Sequence, residues 1–322
     1  MFSDLLVPLT AVPRIPLGDW ANSAVEWLVH NWAAFFDAIA SGLNAVVGWL
    51  QDGLLSLPIG LVIVLLAVIA LLTRGWKAGI AAAIGIALID AFDQWQNAMD
   101  TLAAVLVASV IAVALAIPLG ILAARSKAAS TVLRPALDFM QTLPAFVYLL
   151  PALFLFGLGA APAVLATIVF AMPPGVRLTE LGIRQVDKEM VEAGQAFGAT
   201  PREVLRGIQI PLAMPTIMAG VNQVIMLALS MVVIAGLVGA EGLGGAVIQG
   251  LQTLEIPLGT EAGVSVVILA IYLDRVTAGV GKGRRPLFDG FRGSLRRRRA
   301  AQEAATELAV AEEKGRATVG AI

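Results

Sequence analysis

Long apolar stretches alternate with short polar or charged segments along most of the 322-residue chain. Several of these stretches approach or exceed the ~18–20 residues that an α-helix needs to cross a bilayer. Seven predicted spans lie near residues 54–73, 77–91, 97–124, 137–157, 161–179, 208–238 and 261–280. Only 14% of the residues are charged, whereas a typical soluble domain carries roughly 25%. The pattern predicts an all-α, polytopic helical membrane protein.

Residues 1–53 differ from these stretches because polar side chains recur among their apolar ones. The first residues lack a basic segment and contain three prolines, so they do not resemble a cleaved signal peptide. From Asp19 to Gln51 the polar residues form one helical stripe with apolar side chains opposite, which predicts a helix lying in the membrane interface. His30 falls on the polar stripe, which favours a solvated histidine over a metal ligand.

Lys and Arg are concentrated in alternate loops of this predicted topology, whereas the opposite loops are acidic or neutral. The basic loop and tail residues are Arg74, Lys77, Arg125, Lys127, Arg134, Arg177, Arg184, Lys188, Arg202, Arg206 and Arg296 to Arg299. Cytoplasmic loops carry an excess of Lys and Arg. Seven spans therefore predict an N-terminus outside the cell and a cytoplasmic C-terminus. Residues 281–322 are expected to form a basic and then Ala/Glu-rich cytoplasmic tail.

Few residues are available for catalysis or metal binding. The chain has no cysteine and a single histidine, which excludes thiolate chemistry and Cys or His metal clusters. The segment AGVGKGRR is not a P-loop, because Gly283 follows Lys282 where Ser or Thr is needed, and Val276 replaces the first glycine. With no nucleophile–base pair either, we expect a non-catalytic chain without a cofactor or metal of its own.

A polar segment at residues 187–211 interrupts the apolar pattern between the fifth and sixth spans. Asp187 is a good N-cap for a helix over residues 188–197, and Gly198 is placed to end that helix. The sequence TPRE at residues 200–203 is a capping box with proline at the first helical position. The segment therefore predicts two short helices joined by a tight turn.

The first of these short helices combines small and apolar residues on one face. Met190, Ala193, Gly194 and Phe197 share this face, and Glu192 points elsewhere. Ala193 and Gly194 would let another surface approach the backbone closely. This is typical of a helix that docks on a partner, and an ordinary solvated cytoplasmic loop is the alternative.

The sequence EAGQAFGATPREVLRGIQIPLAMPTIMAG resembles the EAA loop of ABC-importer permeases, with glycine where the name-giving motif has its second alanine. The matching positions are Glu192, Ala193, Gly194, Gly198, Ile210 and Pro211. The resemblance implies that this loop is the coupling helix that sits in a cleft of a separate ATPase. The residues expected to carry that coupling are Glu192, Ala193, Gly194, Phe197, Gly198 and Pro211.

Four further segments resemble the glycine betaine/proline betaine permease family. They are RPALDFMQTLPAFVYLLPALFLFGLG, PPGVRLTELGIRQV, MLALSMVVIAGLVGAEGLGG and EAGVSVVILAIYLDR, at residues 134–159, 173–186, 226–245 and 261–275. The likeness implies a type I importer core of five spans within residues 95–280, preceded by two accessory transmembrane helices in residues 54–94. The N-terminal residues 1–53 would then lie outside.

The same resemblance implies a bacterial-type cytoplasmic (inner) membrane protein that takes up quaternary-ammonium osmolytes. Its expected partners are an ATPase subunit that binds ATP and Mg, an extracytoplasmic substrate-binding protein, a second copy of the permease and membrane lipid, but no nucleic acid. Choline or carnitine are alternative substrates. A secondary transporter is the alternative mechanism, although such proteins usually bury ionisable residues in their spans, and the predicted span centres have essentially none.

Candidate residues for the substrate path follow from the chemistry of a quaternary ammonium ion, which aromatic faces attract. Phe146 and Tyr148 are the candidates in the fourth span. Asn222, Met226 and Ser230 form a stripe on the sixth span, which could line the path or hold two permeases together.

Prolines and glycines suggest breaks in the later spans. Pro144, Pro151, Pro173 and Pro174 would kink or break the fourth and fifth spans, as hinges or only as packing features. The glycine-rich residues 236–245 predict a flexible or tightly turned external end of the sixth span, which fits an external gate, a contact with the binding protein or a plain loop.

Overall fold

The computed structural model describes residues 16–280. The proline-rich start, the last part of the P-loop-like segment and the predicted tail lie outside the described residues. Across the described range the α-helices are α1 Leu17–Ser56, α2 Ile59–Arg74, α3 Trp76–Ala91, α4 Trp95–Arg125, α5 Lys127–Thr142, α6 Leu149–Phe156, α7 Ala160–Arg184, α8 Lys188–Ala196, α9 Pro201–Val204, α10 Ile210–Ile234, α11 Leu243–Thr253 and α12 Ile256–Val280. The all-α prediction is confirmed.

Helices α4 and α7 run parallel and touch through small residues. A Cβ atom added to Gly120 would lie only 2.5 Å from Cβ of Thr179. Further along the same two helices, Arg184 donates a hydrogen bond to the carbonyl oxygen of Ala123 at 2.8 Å. Both helices therefore end at the same end of the bundle.

Helix α10 runs antiparallel to α7, again through glycines. A Cβ added to Gly182 would lie 3.0 Å from Cβ of Thr216, and one added to Gly220 would lie 3.0 Å from Cβ of Leu178. Small residues at helix contacts let backbones approach closely, which is how membrane helices associate without a hydrophobic driving force between them. Helices α4, α7 and α10 form the centre of the bundle.

Helices α2 and α3 form a hairpin that packs on α12. They are separated by Gly75 alone, whose φ is 93°. The hydroxyl of Tyr272 donates to the carbonyl oxygen of Leu66 at 3.2 Å, and a Cβ on Gly279 would lie 2.7 Å from the carbonyl oxygen of Thr73. Helix α2 is therefore parallel to α12, and both end where α4 and α7 end.

The two ends of the bundle differ in charge. All Lys and Arg residues of the described range lie at the end where α2, α4, α7 and α12 finish and α10 begins, which we call the basic end. The opposite end, called the acidic end, carries Asp90, Asp93, Asp100, Glu241 and Glu255. The structure thus collects at one end the basic segments that the sequence pattern assigned to one side.

Helix α1 covers the predicted interfacial segment and extends it. Its second half packs at the acidic end, where Asn44 Oδ1 accepts a hydrogen bond from the backbone nitrogen of Ala161 at 2.9 Å. The rings of Phe36 and Phe156 lie 5.3 Å apart, edge to face, and Val47 is fully buried. Because α1 is also long and apolar enough to cross a membrane, its interfacial orientation stays a prediction.

The fourth predicted span is broken into two helices at Pro144, one of the prolines that predicted a kink or break there. Helix α5 ends at Thr142, and residues 145–156 continue at an angle of 108° to it. Leu143, directly before Pro144, has an extended ψ of 135°, because a proline disfavours the helical conformation of the residue before it.

The number of spans stays a prediction. Five helices of the described range are long and apolar enough to cross a membrane, and the bent pair is a sixth candidate. Helices α2 and α3 have 16 residues each, about 24 Å of helix, which is shorter than the ~30 Å hydrocarbon core.

The glycine-rich segment after α10 contains a helix that the sequence did not predict. Helix α11 covers Leu243–Thr253 and buries Leu243, Ala246 and Gly250. Gly236 and Gly244 are in backbone contact there, and Gly239 has a φ of 81°. The glycines therefore serve close packing and a tight turn at this end of α10.

Candidate functional site

The polar hairpin at residues 187–211 has the predicted pair of short helices. Asp187 caps α8, since its Oδ1 accepts a hydrogen bond from the backbone nitrogen of Glu189 at 3.0 Å. At the other end the backbone nitrogens of Gly198 and Ala199 donate to the carbonyl oxygens of Gln195 and Gly194 at 2.9 and 3.1 Å. This pair of bonds is a Schellman motif. Gly198 has a φ of 83°, which confirms that the turn uses a conformation that glycine tolerates best.

The second short helix starts at the predicted capping box. Thr200 Oγ1 accepts from the backbone nitrogen of Glu203 at 3.4 Å, and Glu203 Oε2 accepts from the backbone nitrogen of Thr200 at 2.7 Å. Pro201 occupies the first helical position, where its missing N–H group is not needed. Both helices are thus capped by residues of the hairpin itself.

The tip of the hairpin is an exposed apolar surface. The side chain of Phe197 is 94% exposed and that of Met190 is 49% exposed. Ala193, one turn before Phe197, is also exposed. Helix α8 has no buried residue, so this face is available to another protein.

Gly194 lies against another segment of the hairpin. This changes its predicted role, which was to let a second surface approach the helix backbone. A Cβ atom at this position would lie 2.5 Å from Cδ1 of Ile208 and 3.5 Å from Cγ2 of Val204. Gly194 therefore lets α8 pack against the segment that leads into α10. The surface that approaches its backbone belongs to this chain.

Glu192 and Pro211 lie apart from the exposed tip. Glu192 lines a cleft of about 560 Å³ between the hairpin and the ends of α4 and α7, together with Arg125 and Lys188. Pro211 follows a π-helical turn over Leu205–Gln209, at the start of α10. The π turn shifts the hydrogen-bond pattern, with the backbone nitrogen of Ile210 donating to the carbonyl oxygen of Leu205.

An apolar cluster connects the hairpin to the bundle. Buried Leu205 packs with Ile183 of α7 and with Ala213 and Ile217 of α10. Ile121 of α4 packs against the same cluster. A force on the hairpin would therefore reach all three central helices through direct contacts.

A ladder of charged residues between α5 and α7 was missed by the sequence reasoning. Glu180 Oε1 accepts hydrogen bonds from Ser130 Oγ at 2.8 Å and from Arg134 Nη2 at 3.1 Å, and forms an ion pair with Arg184 Nε at 2.9 Å. One turn away, Arg177 pairs with Asp138. Ser130, Arg134 and Asp138 follow each other at steps of four, which could have revealed a polar stripe on α5.

Glu180 is the buried member of this ladder, with a side chain that is 7% exposed. A carboxylate away from water is stable there because two guanidinium groups and a hydroxyl surround it. The ladder holds α5 against α7 at the basic end.

The two aromatic candidates of the substrate path differ in their exposure. Phe146 is 62% exposed. The Tyr148 hydroxyl donates to the carbonyl oxygen of Met140 across the α5–α6 bend, and its ring lies 6.1 Å from that of Phe170, edge to face. The two residues do not form one aromatic box, because Tyr148 contacts Met140 and Phe170 instead.

The polar candidates on α10 are also held by other groups. Asn222 donates to Asp274 Oδ1 at 3.1 Å and accepts from the hydroxyl of Thr277, which ties α10 to α12. Ser230 is exposed, but its hydroxyl donates to the carbonyl oxygen of Met226 at 3.1 Å. The structure thus assigns Asn222 to a helix contact within the chain.

A polar cleft of about 640 Å³ opens at the acidic end between α4 and α11. Asp100, Glu241 and Gln249 line it. Asp100 is 6% exposed. The acidic loops are evident in the sequence, but they do not predict this cleft, because its wall includes the unexpected helix α11.

Comparison with known proteins identifies the architecture. The family model described as "Binding-protein-dependent transport system inner membrane component" matches residues 116–279. A glycine betaine/proline betaine transport system permease protein of Escherichia coli (strain K12) is 46% identical over 271 residues, covering 84% of this chain and 77% of that protein. A glycine betaine/carnitine transport permease protein of Listeria monocytogenes is 43% identical over 275 residues, covering 84% of this chain and 97% of that protein.

The fold is also that of a solved importer. A chain of the MetNI methionine ABC transporter in an inward-facing conformation is similar with a TM-score of 0.53 at 21% identity, over 60% of this chain and 96% of that chain. The matched family residues span the last third of α4 and all of α7, the hairpin and α10. The chain belongs to the family of binding-protein-dependent transport system inner membrane components.

Proposed function

We propose that this chain is the permease subunit of an ATP-driven importer for glycine betaine, proline betaine and related osmolytes. As a member of its family, the chain is a multi-pass permease subunit of the inner membrane, a non-catalytic component of a transporter. The substrate class is supported by relatives at 46% and 43% identity whose names include glycine betaine. Carnitine stands in one of those names, so it is the second candidate substrate, followed by choline.

The proposal of coupling to ATP hydrolysis rests on one observation, the exposed hairpin. It is rigidly capped, presents a phenylalanine that is 94% exposed, and leads directly into the central helices through the cluster around Leu205. A fully exposed aromatic residue on a rigid helix is an efficient anchor for a protein partner, since aromatic hot spots dominate many interfaces. The partner is an ATPase subunit that binds ATP and Mg.

The coupling residues have separate parts in this proposal. Phe197 and Ala193 contact the ATPase, while Gly198 and Gly194 set the shape of the hairpin. Glu192 orients the docking surface from the neighbouring cleft. Pro211 fixes the point at which the hairpin becomes α10.

The orientation follows from the charge difference between the two ends. Because the basic residues collect at the end that bears the hairpin, the positive-inside rule assigns that end to the cytoplasm. The N-terminus and the acidic cleft then face outside, where an extracytoplasmic binding protein delivers the substrate. Two permease copies form the pore, with residues 54–94 as accessory helices outside the transport core at residues 95–280.

The substrate path is proposed along the exposed sides of residues 145–156 and of α10. Phe146, Met226 and Ser230 remain its candidates, because their side chains are at least partly accessible. Tyr148 and Asn222 stabilise the helices that form the path. Tyr148 does so by its hydrogen bond across the α5–α6 bend, and Asn222 by its hydrogen bond between α10 and α12.

Reconstitution tests the function. Proteoliposomes containing this chain with its ATPase should take up labelled glycine betaine only when the binding protein is outside and ATP is inside. Unlabelled carnitine, choline and proline betaine, added in turn, rank the substrates. Uptake that requires a proton or sodium gradient instead of ATP would establish a secondary transporter and contradict the proposal.

A further inference from the structure

Helices α2, α3 and α12 enclose a groove at the basic end of the bundle, with a volume of about 470 Å³. Its walls are apolar and made mainly of small residues. They include Ala70, Ala78, Ala81, Ala82, Ile268 and Ile271. The groove runs along α3 from Lys77 to Ile86, a depth of about 14 Å at 1.5 Å per residue. At the deep end, α3 and α12 close on each other, since a Cβ on Gly85 would lie 3.0 Å from Cγ2 of Ile268.

The mouth of the groove is strongly basic. Arg74 and Lys77 flank the turn between α2 and α3, and Arg275 comes from α12. Arg74 Nε donates to the backbone carbonyl oxygen of Arg275 at 3.2 Å, which holds the Arg74 guanidinium against α12 at the mouth of the groove. Within residues 16–280, none of the three forms an ion pair. The carboxylate next in sequence, Asp274, accepts instead from Asn222 on α10.

The position of the groove in the membrane matches an amphipathic ligand. Trp76, at the same turn, is 63% exposed, and exposed tryptophans are enriched where membrane helices meet the headgroups. The cations therefore lie at headgroup level and the apolar walls at acyl-chain level. A soluble anion would meet the cations but leave the groove unused, and a zwitterionic lipid would leave the three positive charges uncompensated.

We propose that this groove binds one anionic phospholipid, with its phosphate at Arg74, Lys77 and Arg275 and an acyl chain along the alanines of α3. Basic pockets between transmembrane helices are suited to anionic headgroups. The lipid would join the α2–α3 hairpin, which lies outside the residues matched by the family model, to α12 of the transport core. Assignment to the cytoplasmic leaflet rests on the proposed orientation, whereas binding itself does not.

Native mass spectrometry of the purified full chain, taken from vesicles of equal phosphatidylglycerol and phosphatidylcholine, measures the retained lipid. The wild type should retain phosphatidylglycerol preferentially. The double variant Arg74→Gln/Lys77→Gln should lower that retention at least about fivefold, since each basic residue near an anionic surface contributes appreciably. The matched control is Arg125→Gln/Lys127→Gln, which removes one Arg and one Lys from the same end but outside the groove. If the first double variant does not accumulate, Lys77→Gln alone provides the charge test.

A second experiment distinguishes lipid binding in the groove from nonspecific attraction of anionic lipid to the basic surface. Ala81 is an exposed residue of the groove wall, so Ala81→Leu should fill the groove and lower phosphatidylglycerol retention without changing the charge. Inorganic phosphate at matched ionic strength should not displace the lipid. Equal retention of the two lipids, equal losses in the two double variants, normal retention in Ala81→Leu, or displacement by phosphate would each overturn the proposal.

Discussion

The polar hairpin at residues 187–211 and the centre of the bundle are each held together by a different kind of contact. In the hairpin, the bonds that fix α8 and α9 join residues at most five positions apart, at Asp187, Gly198 and the Thr200–Glu203 box. In the centre, α4 and α7 are fixed by contacts such as Gly120 to Thr179, which are remote in sequence.

The difference separates the consequences of mutation in the two regions. A change in the hairpin alters a surface or a turn while the bundle keeps its contacts, so it should affect coupling more than folding. A change at a central glycine displaces two long helices at once, so it should affect folding first. Substitutions at Gly120, Phe197 and Gly198 test this division.

Gly120→Val should reduce the amount of permease in the membrane most strongly. The new Cβ would lie 2.5 Å from Cβ of Thr179 and 2.7 Å from the carbonyl oxygen of Val176. Overpacking of this kind typically costs about 1–3 kcal/mol, and occasionally more. Immunoblots of membranes, with uptake in the same cells, measure the effect.

Gly263→Val is the matched control, because nothing lies within 4 Å of a Cβ at Gly263. The control should accumulate normally. Normal abundance and uptake of Gly120→Val would show that the contact between α4 and α7 is looser than described.

Phe197→Ala should weaken ATPase binding without lowering the abundance of the permease. Its side chain is 94% exposed, so its removal leaves no cavity. Loss of an aromatic hot spot costs about 2 kcal/mol or more, roughly 30-fold in Kd. Titration of the detergent-purified permease with its ATPase measures this change.

Leu158→Ala serves as the control for Phe197→Ala, since Leu158 is 78% exposed but lies at the acidic end. It should leave ATPase binding unchanged. Equal effects of the two substitutions would remove the case for docking at the hairpin tip.

Gly198→Val should have the smallest energetic effect and still impair uptake. A Cβ at this position meets no atom within 4 Å, so the strain comes only from the φ of 83°. A left-handed conformation costs an ordinary residue roughly 1–2 kcal/mol. Uptake and ATPase co-purification should fall while abundance is kept. If uptake falls only in proportion to abundance, the hairpin is an ordinary loop.

The boundaries of the hairpin helices were predictable because their signals are local. Asp187, Gly198 and Thr200 mark helix ends through hydrogen bonds to their close neighbours, and the structure confirms all three. The direction in which Gly194 faces was not predictable, since it depends on how α8 folds back on Ile208. The contribution of each residue to ATPase coupling stays a prediction.

The substrate path was less predictable because its contacts are remote in sequence. Asn222 reaches Asp274, which is 52 positions away, so the α10 stripe alone could not show that this amide is occupied. Pro144 signalled a break, but the 108° bend between α5 and residues 145–156 depends on how α5 pairs with α7 through Glu180 and Arg177. Glycine-rich patterns are compatible with a loop or with close packing, and for that reason α11 was missed.

Site-directed cross-linking tests the coupling role of the hairpin most directly. The chain has no cysteine, so Phe197→Cys carries one thiol, to which a maleimide bearing a benzophenone can be attached. On illumination of the assembled transporter, we expect a covalent product of permease and ATPase from position 197 and none from Leu158→Cys at the acidic end. Absence of the product from position 197, or equal yields from both positions, would show that the hairpin tip is not the site at which the ATPase docks.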